Sequence, residues 1–150
     1  MLQIRVRIAS QTLDLEDEAG NKIESYVIST SSFGLGTEPG SQKTPTGRFV
    51  VSEKIGAGAS LGEIFVGRVP TGRFGAEEDP SDHVQTRILW LHGLDPENAN
   101  TKARYIYIHG TNAESKLGTP SSHGCVRMAN VDVADLFDRV EVGTTVLICM

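Results

Sequence analysis

One stretch of this 150-residue chain gathers a thiol among small, turn-forming and basic residues: Thr119-Pro120-Ser121-Ser122-His123-Gly124-Cys125-Val126-Arg127-Met128. A thiol attacks carbon as its thiolate, and its ordinary pKa of about 8.5 falls beside a cation or a helix start. His109, His123 and Arg127 are the candidate cations, so Cys125 is expected to be an activated nucleophile. A bend through Ser122-His123-Gly124-Cys125 could aim successive backbone N–H groups at one point, as an oxyanion requires. Gly124 would let a carbonyl approach the main chain without a Cβ in the way. His109 stands 16 positions before Cys125, at the end of an apolar run and just ahead of Gly110-Thr111. A strand end can hold a general base rigidly, and the intervening loop is long enough to fold the thiol back within hydrogen-bond reach. The group that orients the imidazole need not be a carboxylate; a backbone carbonyl near Gly110 or Thr111 would hold one tautomer as well.

Other readings of the same residues carry less. Cys149 lies in the apolar run Val146-Leu147-Ile148 and reads as a packing residue, whereas the Ser, His, Gly and Arg neighbours of Cys125 do not describe a hydrophobic interior. His109, His123, Cys125 and His92 could donate N, N, S and N to a metal, but their spacing matches no zinc signature, so neither metal nor cofactor is expected. His83, in an acidic segment, is expected to be solvated. Lys43-Thr44-Pro45-Thr46-Gly47 lacks the order of a phosphate loop and reads as a Pro-Gly turn entering a strand.

The elements that must position these groups are mostly strands. Leu2, Ile4, Val6 and Ile8 alternate from the second residue of the chain, Leu13 and Leu15 repeat the period, and Asp17 to Asn21 forms a turn. Strands are expected at 22–30, 48–52, 86–92, 104–109 and 144–149, and the near-continuous apolarity of 86–92 and 104–109 marks them as central. The connection 31–47 is long enough to be a candidate wall of a site. The irregular stretch 54–85, with Ile64-Phe65-Val66 inside it and Glu77 to Asp82 near its end, is either a lid or a solvated loop with a short extra strand. One helix opens at Asn130 as N-cap and places Val133, Leu136, Phe137 and Val140 on one face. Many strands, one short C-terminal helix and no βαβ alternation predict a mainly β sandwich or barrel, as a single domain over 1–150.

Composition narrows the partners. Against 14 basic residues stand 19 acidic ones, a formal charge of −5 with no basic stripe, so nucleic acid is not an expected partner. No apolar run approaches the 18 or so residues of a membrane helix, so no membrane insertion is expected. Two cysteines are too few for a disulfide framework. The opening residues read as a strand and not as a signal peptide. The protein is therefore expected in the cytoplasm if Met1 is its native start, and in the periplasm or cell envelope if an export signal lies outside these residues.

The chain resembles the L,D-transpeptidase catalytic domain, also called the YkuD domain. Its signature is a His-Gly pair on a strand, followed after about fifteen residues by Ser/Thr-x-Gly-Cys, a hydrophobic residue, Arg and Met or Leu. Here these are Ile108-His109-Gly110-Thr111 and Ser122-His123-Gly124-Cys125-Val126-Arg127-Met128. Further matches are the opening Ile-x-Val with Gln11-x-Leu13, Ser29-Thr30-Ser31, Lys43 to Phe49, and Gly143-Thr144-x-Val146-x-Ile148. The resemblance implies an all-β fold acting on tetrapeptide stems of peptidoglycan or on free muropeptides. Cys125 would attack the carbonyl of the third, diamino residue and expel the terminal D-alanine, with His109 carrying the proton. The N–H groups of His123, Gly124 and Cys125 would hold the oxyanion. Ser122 and Arg127 would meet substrate, Arg127 through a carboxylate unless it serves in a structural ion pair. Resolution of the acyl-enzyme by an amine gives a 3→3 cross-link; resolution by water makes an L,D-carboxypeptidase. A non-catalytic peptidoglycan-binding module is the remaining alternative, and a carbapenem is expected to form a covalent adduct with an active enzyme.

Overall fold

The structure is a computed structural model that describes residues 2–150; Met1, included in the expected first strand, lies outside the described residues. Among the described residues ten strands form one sheet: β1 Gln3–Arg7, β2 Thr12–Glu16, β3 Lys22–Ser29, β4 Gly47–Ile55, β5 Glu63–Val66, β6 Val69–Phe74, β7 Val84–Gly93, β8 Tyr107–Gly110, β9 Val126–Met128 and β10 Thr145–Cys149. Their order is β4-β10-β1-β2-β3-β9-β8-β7-β5-β6, and an additional β4–β7 pairing closes the sheet into a barrel with the β5–β6 hairpin attached outside. The β1–β10 and β8–β9 pairs are parallel and the others antiparallel. Closure removes the free edges that an open sheet would expose.

The period-2 pattern explains the core. Ile4 and Val6 of β1, Leu13 and Leu15 of β2, and Val146 and Ile148 of β10 point inward to one cluster that also holds Phe49, Val51, Leu89, Leu91, Ile108, Val126 and Met128. Helix α1, Asn130–Arg139, adds Val133, Leu136 and Phe137 to the same cluster. The Tyr26 hydroxyl donates to Asp135 Oδ2 at 2.6 Å and ties the helix to β3.

β7 and β8 are apolar on both faces because both faces are covered. Leu89, Leu91, Ile106 and Ile108 belong to the barrel core, while Ile88 and Tyr107 face outward to Phe65 of β5, with Trp90, Val84 and Cys125 packed beside them. The expected central strands are therefore central, with β4 or β5 on one side and β9 on the other.

Several boundaries differ from expectation for physical reasons. β8 begins at Tyr107 and not at Arg104, because Tyr105 adopts φ 57°, a left-handed conformation that a bulky residue rarely takes and that ends any ladder. β6 escapes the sequence because Val69-Pro70-Thr71-Gly72-Arg73-Phe74 is an exposed edge strand, where Pro and Gly are tolerated. β9 has only three residues and is too short to show a period. The N-cap of α1 is Ala129 and not Asn130. The Asn130 side chain turns away from the helix instead: Oδ1 accepts from Thr86 Oγ1 at 2.6 Å and Nδ2 donates to the Thr111 carbonyl at 3.2 Å. Its backbone N–H donates to Glu114 Oε2 at 2.8 Å, so a carboxylate from a distant turn does the capping.

Candidate active site

β8 and β9 run parallel with Ile108 opposite Val126 and His109 opposite Arg127. Since Ile108, Val126 and Met128 point into the core, the alternate residues Tyr107, His109, Cys125 and Arg127 share the outer face. Two adjacent parallel strands thus place the imidazole one strand away from the thiol and two residues further along.

His109 is buried, and its Nδ1 donates to the Gly110 carbonyl at 2.6 Å, which leaves Nε2 as the basic nitrogen of the neutral ring. Burial holds the imidazole below its ordinary pKa, and Arg127 adds to this; Asp82 and the Gly110 bond oppose it. Gly110 has no room for a side chain: a Cβ there would stand 2.3 Å from Asn130 Oδ1 and 2.7 Å from the Gln85 carbonyl. Thr111 does not reach the ring. Its Oγ1 accepts from Ala113 N–H at 3.0 Å and its carbonyl serves Asn130.

The Cys125 thiol was expected to be lowered by neighbouring cations. Burial instead pushes it up to about 12; the Tyr107 N–H bond, Arg104 and Arg127 work against that rise, and Asp82 adds to it. Burial outweighs the cations, and two of the expected ones are in addition engaged by a carboxylate: Asp82 Oδ1 lies 2.9 Å from Arg127 Nη1 and Asp82 Oδ2 lies 2.9 Å from His123 Nδ1. The resting pair is a neutral thiol and a neutral imidazole. Sγ accepts from Tyr107 N–H at 3.3 Å and donates to the Tyr105 carbonyl at 3.4 Å. Among the described residues no hydrogen bond joins Sγ to His109, so the expected contact requires a rotation of the thiol. Catalytic hydrogen bonds often close only with substrate in place. The φ of 57° at Tyr105 is part of the turn that presents its carbonyl to the thiol.

The turn before Cys125 is braced from below. Ser122 is fully buried, and its Oγ donates to the Cys125 carbonyl at 2.6 Å and accepts from Gly124 N–H at 3.3 Å. Its hydroxyl is used inside the turn and does not face a substrate. Thr44 Oγ1 donates to the Gly124 carbonyl at 2.9 Å and accepts from Ser31 N–H at 2.9 Å, so the Pro-Gly segment 43–47 is a strut for the nucleophile turn. Gly124 has φ 125°, and a Cβ there would make ordinary contacts of 3.5 Å or more; glycine is needed for its backbone conformation more than for space.

A cleft of about 230 Å³ opens beside the turn, lined by Pro39, Gly40, Gln42, Ala103, Arg104, Ile106 and His123. The long loop 31–47 therefore does form a wall. Arg104 holds that wall in place by donating to the carbonyls of Gly36 at 3.2 Å and Lys43 at 2.7 Å. Among the described residues no cluster of three His, Cys, Asp or Glu side chains converges as a metal site would.

Sequence reasoning missed three contributors. Asp82 was one of several acids in the cluster 77–82, in a stretch expected to be either a lid or a solvated loop, Arg104 looked like a strand residue, and Tyr107 contributes a backbone N–H that no side-chain motif signals. His83, expected in solvent, is partly covered and its Nε2 lies 2.7 Å from Asp79 Oδ2. Cys149, expected to be a packing residue, is only partly buried: it alternates with the core residues Val146 and Ile148 on the other face of β10, and its Sγ donates to the Val6 carbonyl at 3.6 Å.

Comparison with known proteins places the chain in a family. The model of the YkuD L,D-transpeptidase catalytic domain matches residues 2–148. A putative L,D-transpeptidase of Bacillus subtilis strain 168, YqjB, is 31% identical over 143 residues, covering 95% of this chain and 69% of its own length. The probable L,D-transpeptidase YbiS of Escherichia coli K12 is 54% identical over 43 residues, or 29% of this chain and 14% of YbiS. Among solved structures, L,D-transpeptidase 3 of Mycobacterium tuberculosis, in complex with a faropenem-derived adduct, superposes with a TM-score of 0.63 at 17% identity over 99% of this chain and 60% of that one. LdtMt1 in complex with imipenem gives a TM-score of 0.61 at 18% identity over 98% and 58%. The chain spans about three fifths of the solved proteins it resembles. The barrel closed by β4 and β7, with one helix in its core, is their fold. With a family model matched from residue 2 to residue 148, the chain belongs to the YkuD L,D-transpeptidase catalytic-domain family.

Proposed function

We propose that this domain catalyses cysteine-dependent acyl transfer on peptidoglycan tetrapeptide stems, releasing the terminal D-alanine and joining the acyl group to a second stem as a 3→3 cross-link. The observation that carries the reading is the shared outer face of β8 and β9, which sets Cys125 one strand and two residues from His109, with Nδ1 already committed to Gly110 and a cleft opening at His123, two residues before the thiol.

In the reaction the thiol turns from the Tyr105 carbonyl toward His109. Nε2 takes its proton as Sγ bonds to the carbonyl carbon of the third stem residue, so a thiolate never accumulates at a site that disfavours it. The oxyanion is received by the backbone N–H groups of His123, Gly124 and Cys125, Gly124 trading its long bond to Ser122 Oγ for the substrate oxygen. Collapse breaks the C–N bond, and His109 returns the proton to the leaving D-alanine amine. The amine of an acceptor stem then attacks the thioester and regenerates the thiol.

Incubation with imipenem followed by intact-mass measurement tests the first half: a covalent adduct is expected on the wild type and none on C125A. A folded wild-type protein that stays unmodified would sink the reading. For the second half, tetrapeptide is supplied with and without an acceptor stem. Dimer formed in proportion to acceptor supports transpeptidation; tripeptide alone, with acceptor present, would make the domain a carboxypeptidase.

A further inference from the structure

We propose that Asp82 is a positioning residue of this site: its single carboxylate joins the excursion after β6 to both flanks of the nucleophile turn, and its charge answers the imidazolium that His109 becomes during attack. The inference rests on the reading of Cys125 and His109 given above.

The geometry is specific. Oδ2 meets His123 Nδ1 and Oδ1 meets Arg127 Nη1, each at 2.9 Å, and these partners stand two residues before and two residues after Cys125. Arg127 is buried, and its second amino group donates to Ser121 Oγ, so the guanidinium is a fixed post and not a mobile surface charge. The Asp82 side chain keeps only 21% of its exposure.

The excursion that carries Asp82 is itself pinned. Asn112 Nδ2 donates to the carbonyls of Ala76, Asp79 and Ser81 at 3.1 to 3.2 Å, and Asn112 Oδ1 accepts from His83 N–H at 3.2 Å. Glu77 grips Ser115 through both oxygens, at 3.0 and 2.9 Å. Asn112 follows His109 by three residues, so the strap is registered against the strand end that bears the base.

The charges around the reacting pair are few. His109 feels Asp82 and Arg127; Cys125 feels Asp82, Arg104 and Arg127; Asp82 faces His109, His123 and Arg127. Attack moves the thiol proton to Nε2 and places a cation on His109 while sulfur becomes bonded to carbon. The Gly110 carbonyl orients that ring but carries no net charge, and Asp82 is the anion in its field. Asp82 stays ionised throughout; the proton passes from sulfur to His109 and on to the leaving amine.

The test follows the second-order rate of imipenem acylation against pH in the wild type, D82N and D82E. The rate rises with pH as His109 loses its proton. Removing the anion makes the imidazolium less stable, so the rising limb of D82N moves to lower pH, by about half a unit or more, and its plateau falls about tenfold through a weaker base. D82E keeps the charge and is expected to retain the wild-type limb. A D82N limb that coincides with the wild type, whatever the rate, would overturn the inference, as would equal displacement in D82N and D82E. D82S serves as a second charge-removing variant if D82N does not fold. A wild type that forms no adduct at all would instead sink the underlying assignment of Cys125.

Discussion

A partly buried thiol with its pKa pushed up to about 12 and a buried imidazole held below its ordinary value make a pair that rests uncharged. Reactivity then depends on proton transfer during attack and not on a standing thiolate. With His109 as the proposed base, the acid limb of acylation is expected to follow protonation of its ring. Because burial lowers that pKa, the rate is expected to stay near its plateau at about pH 6.5, where a free imidazole would be half protonated, and to fall only at lower pH. A limb centred above that value in the imipenem assay would contradict the neutral-pair picture. Replacing His109 by Gln removes the base and is expected to lower acylation by about 10²- to 10⁴-fold while the fold persists. One further residue shows how little freedom the site has. Gly110 supplies the orienting carbonyl at a point where a Cβ would collide with Asn130 and with the Gln85 backbone. G110A is therefore expected to lower stability by about 1–3 kcal/mol in urea unfolding and to slow acylation more than the stability loss explains.

At the scale of elements, the site is a product of three connections and one strand pair. The parallel β8–β9 pair sets the spacing of His109 and Cys125, and parallel pairing demands a long crossover between the two strands. That crossover, residues 111–125, holds the short helical turn Glu114–Lys116, the strap anchors Asn112 and Ser115, and the nucleophile turn. Asn130, just beyond β9, fastens the start of the crossover by donating to the Thr111 carbonyl while its Oδ1 accepts from Thr86 Oγ1. The β5–β6 hairpin covers the outer face of β7 chiefly through Phe65, which is buried against Ile88 and Tyr107. F65A should cost about 3–5 kcal/mol if the hairpin and barrel unfold together. A smaller loss, accompanied by selective proteolysis between residues 56 and 83, would show instead that the hairpin detaches as a separate unit. Limited digestion resolved by mass distinguishes the two outcomes.

The whole barrel depends on carboxylates as well as on its core. On the outer side of β1 and β2, Glu16 bonds Arg5 at 3.0 Å and Asp14 bonds Arg7 at 3.1 Å, with Lys22 and Ser25 adding to Asp14. Burial by itself would raise both acids. Hydrogen bonds from Ser25 and Arg7 to Asp14, and from Arg5 and Gln3 to Glu16, outweigh it and hold both below the ordinary carboxylate range. Groups with folded pKa values below their unfolded ones stabilise the fold above about pH 4 and lose that contribution as the pH falls through the folded values. Urea midpoints are therefore expected to be steady from neutrality to about pH 5 and to drop below pH 4, and D14N should flatten that drop. An unchanged acid slope in D14N would assign the loss to other carboxylates.

How much of this was legible before folding differs by scale, and for a common reason. Short-range rules sufficed for β1, β2, β3, β10 and α1, whose apolar residues repeat at the period of one buried face. They sufficed also to single out Cys125 and His109 as the pair proposed to react, because the Ser122-to-Met128 and Ile108-to-Thr111 segments are contiguous. They failed for β6 and β9, where an edge position and a length of three residues leave no period to read. They failed for Asp82, whose partners lie 41 and 45 residues away and whose neighbours suggested solvent.

The amino-acid order by itself determined the mainly β class and the family and singled out the proposed nucleophile and base, since each is written in local residue types. Only the tertiary structure decided the protonation of the pair, because that depends on burial and on which charges cancel. It turned three expected activating cations into a neutral histidine and two partners of one carboxylate. It also decided that the thiol rests on the Tyr105 carbonyl, that Ser122 works beneath the turn, and that the excursion beyond β6 is strapped to the site. Each of these follows from distances between residues far apart in sequence, set by barrel closure and by the register of β8 against β9.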